Sequence, residues 1–277
     1  MKNLENQFSL RNKNVLITGA CGLLGAKHAE AVAIAGGTPI LTDLNEEHLI
    51  KISNEIKLNY NIECLYFNMN VTSEKSVYNL YHTLLQKNIF INVLINNAAR
   101  NPKVESIDQK SFNNRLESLN LDEWNLDISV GLTGALICSK IFGSCMAQRC
   151  EGNIINISSD LGIIAPDQRL YQKENLKSEH QDVKPVSYSV IKHGIIGLTK
   201  YLATYWPDKN VRCNAISPGG IYNGQNKEFL NKIQERIPIG RMARADEYQG
   251  AIIFLSSNAS SYMNGGNLII DGGRSTW

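Results

Sequence analysis

Tyr188-Ser-Val-Ile-Lys192 sets a phenol and an ammonium four residues apart. On a helix such positions stack on one face, so both groups would enter one cleft. A neighbouring cation favours phenolate over phenol and would draw the tyrosine below its ordinary value of about 10, toward proton transfer. Far upstream, Thr18-Gly-Ala-Cys-Gly-Leu-Leu-Gly25 carries glycines at 19, 22 and 25. Glycines so spaced permit a tight turn, close backbone approach to a pyrophosphate and close helix–strand packing. Each motif alone is weak, since both arise by chance. Together they describe a dinucleotide held beside a proton donor, which is what hydride transfer to a carbonyl requires.

The elements that would position these groups follow from the apolar pattern. Asn14–Thr18, Thr38–Asp43, Glu63–Asn68, Asn92–Asn96, Asn153–Ser158, Val211–Ile216 and Asn267–Ile270 read as buried strands. Helical patterns run between them, over about Gly22–Ala35, Glu46–Leu58, Ser73–Gln86, Leu121–Gln148, Ser187–Tyr205 and Ala245–Ser256. This alternation predicts an α/β fold of the Rossmann type. Its doubly wound sheet would have seven mostly parallel strands with helices on both faces, in one domain over residues 1–277. The stretches Arg100–Asn120 and Ala165–Val186 break the rhythm after the fourth and fifth strands. Loops at the carboxyl ends of such strands rim the ligand crevice. The second, dense in charge, reads as a polar substrate-loop insertion at about 165–186.

Composition narrows the function. A formal charge of +2 gives no argument for nucleic acid or an anionic membrane, and no apolar run reads as membrane-spanning. The N-terminal residues show no apolar signal core. Cys21, Cys64, Cys138, Cys145, Cys150 and Cys213 are scattered without Cys-x-x-Cys or metal-ligand spacing. They read as reduced thiols of a cytoplasmic protein, and no metal site is expected.

The second strand ends on Asp43, whose carboxylate would accept bonds from the adenosine ribose and repel a 2′-phosphate. No Arg or Lys sits in the glycine loop or directly after Asp43, so NAD is expected in preference to NADP. Asn45 is better placed than Asp43 to cap the next helix.

These motifs, with Asn96-Asn-Ala-Ala99, Ile157-Ser-Ser159, Ser217-Pro-Gly-Gly220, Gly240-Arg-Met-Ala-Arg-Ala-Asp-Glu247 and Asp271-Gly-Gly273, stand in an order that resembles the short-chain dehydrogenase/reductase family. The match runs from about Leu10 to Gly273. The resemblance implies that Tyr188 is the acid/base. Lys192 would lower its pKa and hold the nicotinamide ribose, and Ser159 rather than Ser158 would bind the substrate oxygen. It implies cofactor contacts from Gly19, Cys21, Gly22, Leu23, Leu24, Gly25 and Asp43, from Asn70 and Val71, and from the backbone around Asn96, Asn97, Ala98 and Ala99. Pro218, Gly219 and Ile221 would lie against the nicotinamide, beside Tyr188 and Lys192. Oligomers are usual in the family, so a dimer or tetramer is expected. The helices Leu121–Gln148 and Ser187–Tyr205 would supply the interface, and the terminal Trp277 would dock on a neighbour.

Three departures qualify the resemblance. Leu23 stands where compact members usually carry glycine, closer to the sugar-nucleotide-modifying branch. Gly131 occupies the position of the family's catalytic asparagine, which orders a water feeding protons to the lysine. The 29 positions from Ser159 to Tyr188 exceed the usual connection. The extra charged residues favour a polar small-molecule substrate, such as a sugar or activated sugar. The segment more loosely resembles bacterial surface-glycan or flagellin-modification oxidoreductases. The sequence thus points to an NAD(P)-dependent interconversion of a secondary alcohol and a ketone. An NAD-binding protein with little catalysis, and a sugar epimerase or dehydratase with tightly bound NAD, remain as alternatives.

Overall fold

The computed structural model describes residues 4–100, 115–174 and 176–277. A short helix α1 (Leu4–Phe8) precedes a regular alternation: β1 (Asn14–Thr18), α2 (Leu23–Ile34), β2 (Thr38–Asp43), α3 (Glu46–Tyr60), β3 (Leu65–Asn68), α4 (Glu74–Gln86) and β4 (Val93–Asn96). The chain continues through α5 (Leu121–Ile128), a π-helical turn (Ser129–Thr133), α6 (Gly134–Gln148), β5 (Gly152–Ile157) and α7 (Val186–Tyr205). It ends with β6 (Val211–Pro218), α8 (Lys227–Gln234), α9 (Gln249–Ser256) and β7 (Asn267–Ile270).

The strands form one sheet in the order β3-β2-β1-β4-β5-β6-β7. Every pairing is parallel, from Val15↔Val93 in the centre to Ile216↔Leu268 near the edge, so "mostly parallel" becomes wholly parallel. Period-two alternation splits each strand between the two faces. Val15, Ile17, Val93 and Ile95 face a cluster with Ala29, Leu49 and Ile252 from α2, α3 and α9. Leu16 and Leu94 face Leu80, Phe142 and Leu202 from α4, α6 and α7. The doubly wound prediction therefore holds.

Local chemistry explains where the helices start and stop. Asn45, Ser73, Asn120 and Asn226 accept backbone N–H bonds at the N-termini of α3, α4, α5 and α8. Asn61 ends α3 in the left-handed region, where glycine more often serves. The third strand begins at Leu65, two residues later than expected, and α8 was not foreseen.

One further expectation lies partly beyond the described residues, and another changes. Of the polar stretch Arg100–Asn120, residues 101–114 lie outside the described part. The segment Leu121–Gln148 is, by length and composition, apolar enough to cross a bilayer, contrary to the sequence reading. Its apolarity has a local cause, because Cys138, Phe142 and Met146 pack under the sheet with Ile154 and Leu94. A core helix needs that composition on its inner face.

The stretch Ala165–Val186 is anchored at several points, while residues 172–174 and 176–180 stay exposed. Leu170 is buried with Ile233, Ile237 and Met242, and Tyr171 packs on Phe229. Asp167 receives Arg236 at 2.7 Å, and Lys173 meets Asp182 at 2.6 Å. The loop and the unforeseen α8 thus form one wall with its own small core.

Candidate active site

The glycine loop sits at the carboxyl end of β1 and turns into α2. Gly19 has φ +63°, and a Cβ there would lie 2.7 Å from Ala98 Cα, so only glycine lets the loop meet β4 this closely. A Cβ at Gly25 would approach the Gly19 carbonyl oxygen to 2.3 Å, so glycine there lets the start of α2 pack closely on the loop. No side chain caps α2 at Gly22. Its first-turn N–H groups, those of Leu23, Leu24 and Gly25, carry the partial positive charge of a helix start. A bare helix terminus beside a glycine-rich turn fits the pyrophosphate of a dinucleotide.

Asp43 at the end of β2 has a second role that the sequence did not show. Its Oδ2 accepts from Cys21 N at 3.0 Å, and its Oδ1 accepts from Leu44 N at 2.7 Å. The carboxylate therefore fastens the glycine loop. Asn45, not Asp43, caps α3 through His48 N. Burial, then the charge of Asp43, pushes the Cys21 thiol up to about 12.

The β4 end behaves largely as a tie. Asn97 Nδ2 donates to Thr18 O and Gly19 O at 3.0 and 2.9 Å, while Ala98 N donates to Thr18 Oγ1 at 3.1 Å. Asn96 is buried and donates to Asn156 Oδ1 and Ser139 Oγ. Asn70 binds its own turn through Thr72, and Val71 packs where a Cβ on Gly134 would come. Ala99 follows Ala98 in the segment beyond β4. Across the sheet, Pro218 ends β6, Gly219 packs against Asp271, and Ile221 bridges to Ala243.

The chemistry-bearing side chains gather at the carboxyl end of β5 and the start of α7. Tyr188 and Lys192 share one face, with Lys192 Nζ 5.6 Å from the ring centroid. Lys192 is 6% exposed and donates to Ile157 O at 2.8 Å. Ser159 lies close enough to Tyr188 to favour its ionised form. Ser158 Oγ instead donates to Lys192 O at 2.7 Å, which leaves it structural and supports the preference for Ser159.

Electrostatics correct one expectation. Burial pushes Tyr188 above its ordinary phenol value; Ser159 draws it down and the charge of Asp160 raises it again. Lys192 was expected to dominate from below. Its ammonium turns instead to the Ile157 carbonyl, and burial, then Lys184, brings Lys192 down to about 8. Lys184, in the loop before α7, lies 4.0 Å from the Tyr188 ring centroid. Burial brings it too to about 8.

Sequence reasoning missed Lys184, Asp160 and Arg274. Asp160 and Arg274 form a buried pair at 2.6 Å, with side chains 3% and 8% exposed. No periodicity signals such a pair, although Asp160 adjoins the serine already singled out. Gly131 lies in the π turn, and a Cβ there would stand 2.8 Å from Ile191 Cγ2. Ile191 of α7 thus occupies the space into which an asparagine side chain would extend.

With this geometry in hand, the comparisons are specific. A family model described as enoyl-(acyl carrier protein) reductase matches residues 19–275. The NADP-dependent mannitol dehydrogenase of Alternaria alternata is 31% identical over 277 residues, covering 98% of this chain and 95% of its own. Post-translational flagellin modification protein A of Campylobacter coli is 29% identical over 267 residues, covering 95% and 98%. A short-chain type dehydrogenase/reductase from Mycobacterium marinum superposes with a TM-score of 0.81 at 26% identity, covering 97% of each chain. A gluconate 5-dehydrogenase from Burkholderia cenocepacia, crystallised with NADP and tartrate, has the same TM-score at 24% identity and speaks for the fold.

The fold and the matched family define an oxidoreductase of CH–OH groups that uses NAD(P). The chain belongs to the short-chain dehydrogenase/reductase family.

Proposed function

We propose that this protein interconverts a secondary alcohol and a ketone on a small polar substrate of the sugar or polyol class. The observation that carries the reading is the buried Lys192 ammonium 5.6 Å from the Tyr188 ring centroid, on the crevice edge where the uncapped α2 begins. A bound nicotinamide would give or take the hydride. Tyr188 would pass the proton, Ser159 would hold the substrate oxygen, and Lys192 would bind the ribose and keep a positive charge beside the phenol. The glycine loop, Asn70, Val71 and the backbone of Asn97, Ala98 and Ala99 would hold the adenosine and pyrophosphate. Pro218, Gly219 and Ile221 would back the nicotinamide.

Mannitol and D-threitol dehydrogenases among the relatives support the substrate class, as does the ion-paired wall of residues 165–186 with α8. Asp43 supports NAD over NADP, although the mannitol dehydrogenase is NADP-dependent and the Burkholderia enzyme was crystallised with NADP. Unpaired cysteines suit a cytoplasmic setting. Exposed Leu126, Leu136, Val190 and Tyr201 on α5, α6 and α7 suit a homo-oligomer.

The test is NADH and NADPH binding by fluorescence, followed by turnover on a panel of ketoses, polyols and sugar acids. Turnover with NADH favoured is the expected result. Tight NADH binding with no turnover across the panel would contradict the reading, and better turnover with NADPH would overturn the cofactor preference.

A further inference from the structure

Ser159 has one hydroxyl proton, and the structure shows where it goes. Oγ donates to Asp160 Oδ1 at 2.8 Å, and that oxygen also receives Leu161 N at 2.8 Å. Asp160 Oδ2 receives Arg274 Nη1 at 2.6 Å. The arginine comes from 114 positions away, in the last turn of the chain. That turn is built to deliver it: Asp271 accepts from Gly273 N at 2.9 Å and from Ser275 N at 2.8 Å. Gly272 and Gly273 take φ +68° and +86° against Ile237 and Pro238. Burying an ion pair is poor value for stability alone, because desolvation offsets the attraction. This pair is buried and touches Ser159.

A proton resting on Asp160 has to be released before Ser159 can donate to a substrate oxygen or to the Tyr188 oxygen, so the Asp160 carboxylate decides where that hydroxyl points. When Tyr188 ionises, its oxygen competes with Asp160 for that single serine proton. We propose that Asp160, clamped by Arg274, is a positioning residue that fixes the Ser159 hydroxyl, so that the C-terminal turn is part of the active site. This inference rests on the assignment of Ser159 and Tyr188 made above. Among the described residues, the charged or titratable groups near Tyr188 are Asp160 from the turn after β5, Lys184 and Tyr171 from the loop, and Lys192 from α7. Arg274 reaches it through Asp160.

The experiment is the pH dependence of single-turnover ketone reduction with NADH, using the best substrate of the panel. It compares wild type with Asp160→Asn, Arg274→Gln and the double variant. Asp160→Asn removes a negative charge, so the limb reporting Tyr188 ionisation moves to lower pH by about one unit. Arg274→Gln leaves the carboxylate uncompensated, and the limb moves to higher pH by a similar amount. The double variant lies between the two. KM for NADH changes less than about twofold throughout, as expected when a change acts on the chemical step rather than on binding. If Arg274→Gln does not fold, Arg274→Lys takes its place and keeps the limb at the wild-type position. Single variants that shift in the same direction, or that lower the melting temperature and leave the limb in place, would overturn the clamp. Tyr188→Phe runs alongside: full activity there sinks the proton-donor assignment instead of the clamp alone.

Discussion

Around the glycine loop, recognition is made from backbone: bare N–H groups, tight glycines, and a carboxylate spent on the N–H of Cys21 and Leu44. Around Tyr188 it is made from buried side chains, with Lys192, Lys184, Asp160 and Arg274 within one small volume. The first region binds by shape and local dipoles, and it sits on contiguous sequence from Thr18 to Asp43. The second works through charges removed from water, and it draws residues from three distant parts of the chain. A cradle of the first kind tolerates no added atom at its tight glycines. A cluster of the second kind tolerates side-chain volume better than a change in charge.

The largest expected effect belongs to the charged region. Tyr188→Phe lowers kcat by about 10²–10⁴-fold, the usual worth of general acid–base assistance, with the melting temperature nearly unchanged. A loss below tenfold, measured on the panel's best substrate, would remove the distinction between the two regions. Next comes the backbone region. Gly25→Ala puts a methyl 2.3 Å from the Gly19 oxygen, so it destabilises by about 1–3 kcal/mol and weakens NADH binding. Urea unfolding and a binding titration check this, and an unchanged midpoint would show that the loop yields.

A third prediction concerns His28 on α2. Its ring is 1% exposed with neither nitrogen hydrogen-bonded, and burial brings it from its ordinary value near 6.5 down to about 3. The folded ring stays neutral while the unfolded ring takes a proton below about 6.5. Its contribution to stability is therefore whole above that pH and is lost as the pH falls toward about 3. The loss is about 1.4 kcal/mol per unit of pH. Urea midpoints at pH 7 and pH 5 should diverge in wild type and converge in His28→Leu; equal slopes in both would refute it.

The smallest effect is expected at Gly131. Restoring the family's asparagine drives its Cβ into Ile191, so Gly131→Asn costs stability of about 1 kcal/mol and does not raise the rate. Adding Ile191→Ala restores the melting temperature. A faster single variant with an altered pH profile would show that the missing asparagine, not the packing, governs the relay.

What could be read from sequence follows the same division. Strand alternation, the glycine spacing and the Asn45 cap are signals carried over a few residues by periodicity and local hydrogen bonding, and they survived. The β3 start moved because Glu63 and Cys64 precede the Leu65–Asn68 ladder pairing. Eight-residue α8 escaped notice because its apolar face has meaning only against Leu170 and Tyr171 of the loop. The Asp160–Arg274 pair escaped because nothing in either segment alone specifies the other. Tyr188 was expected to be drawn down because spacing reports that Lys192 is near. It does not report that the ammonium turns to Ile157 or how much water burial removes.

The most direct test of the account is the fate of a label. NADH carrying deuterium at the transferring position of nicotinamide C4 is supplied with the best ketone of the panel, and the product is examined by mass spectrometry and NMR. One deuterium on the new carbinol carbon, with NAD formed in equal amount, is the predicted result. Label that stays on recovered NADH while the substrate changes would contradict it, and would mean that this crevice holds the coenzyme for some other chemistry.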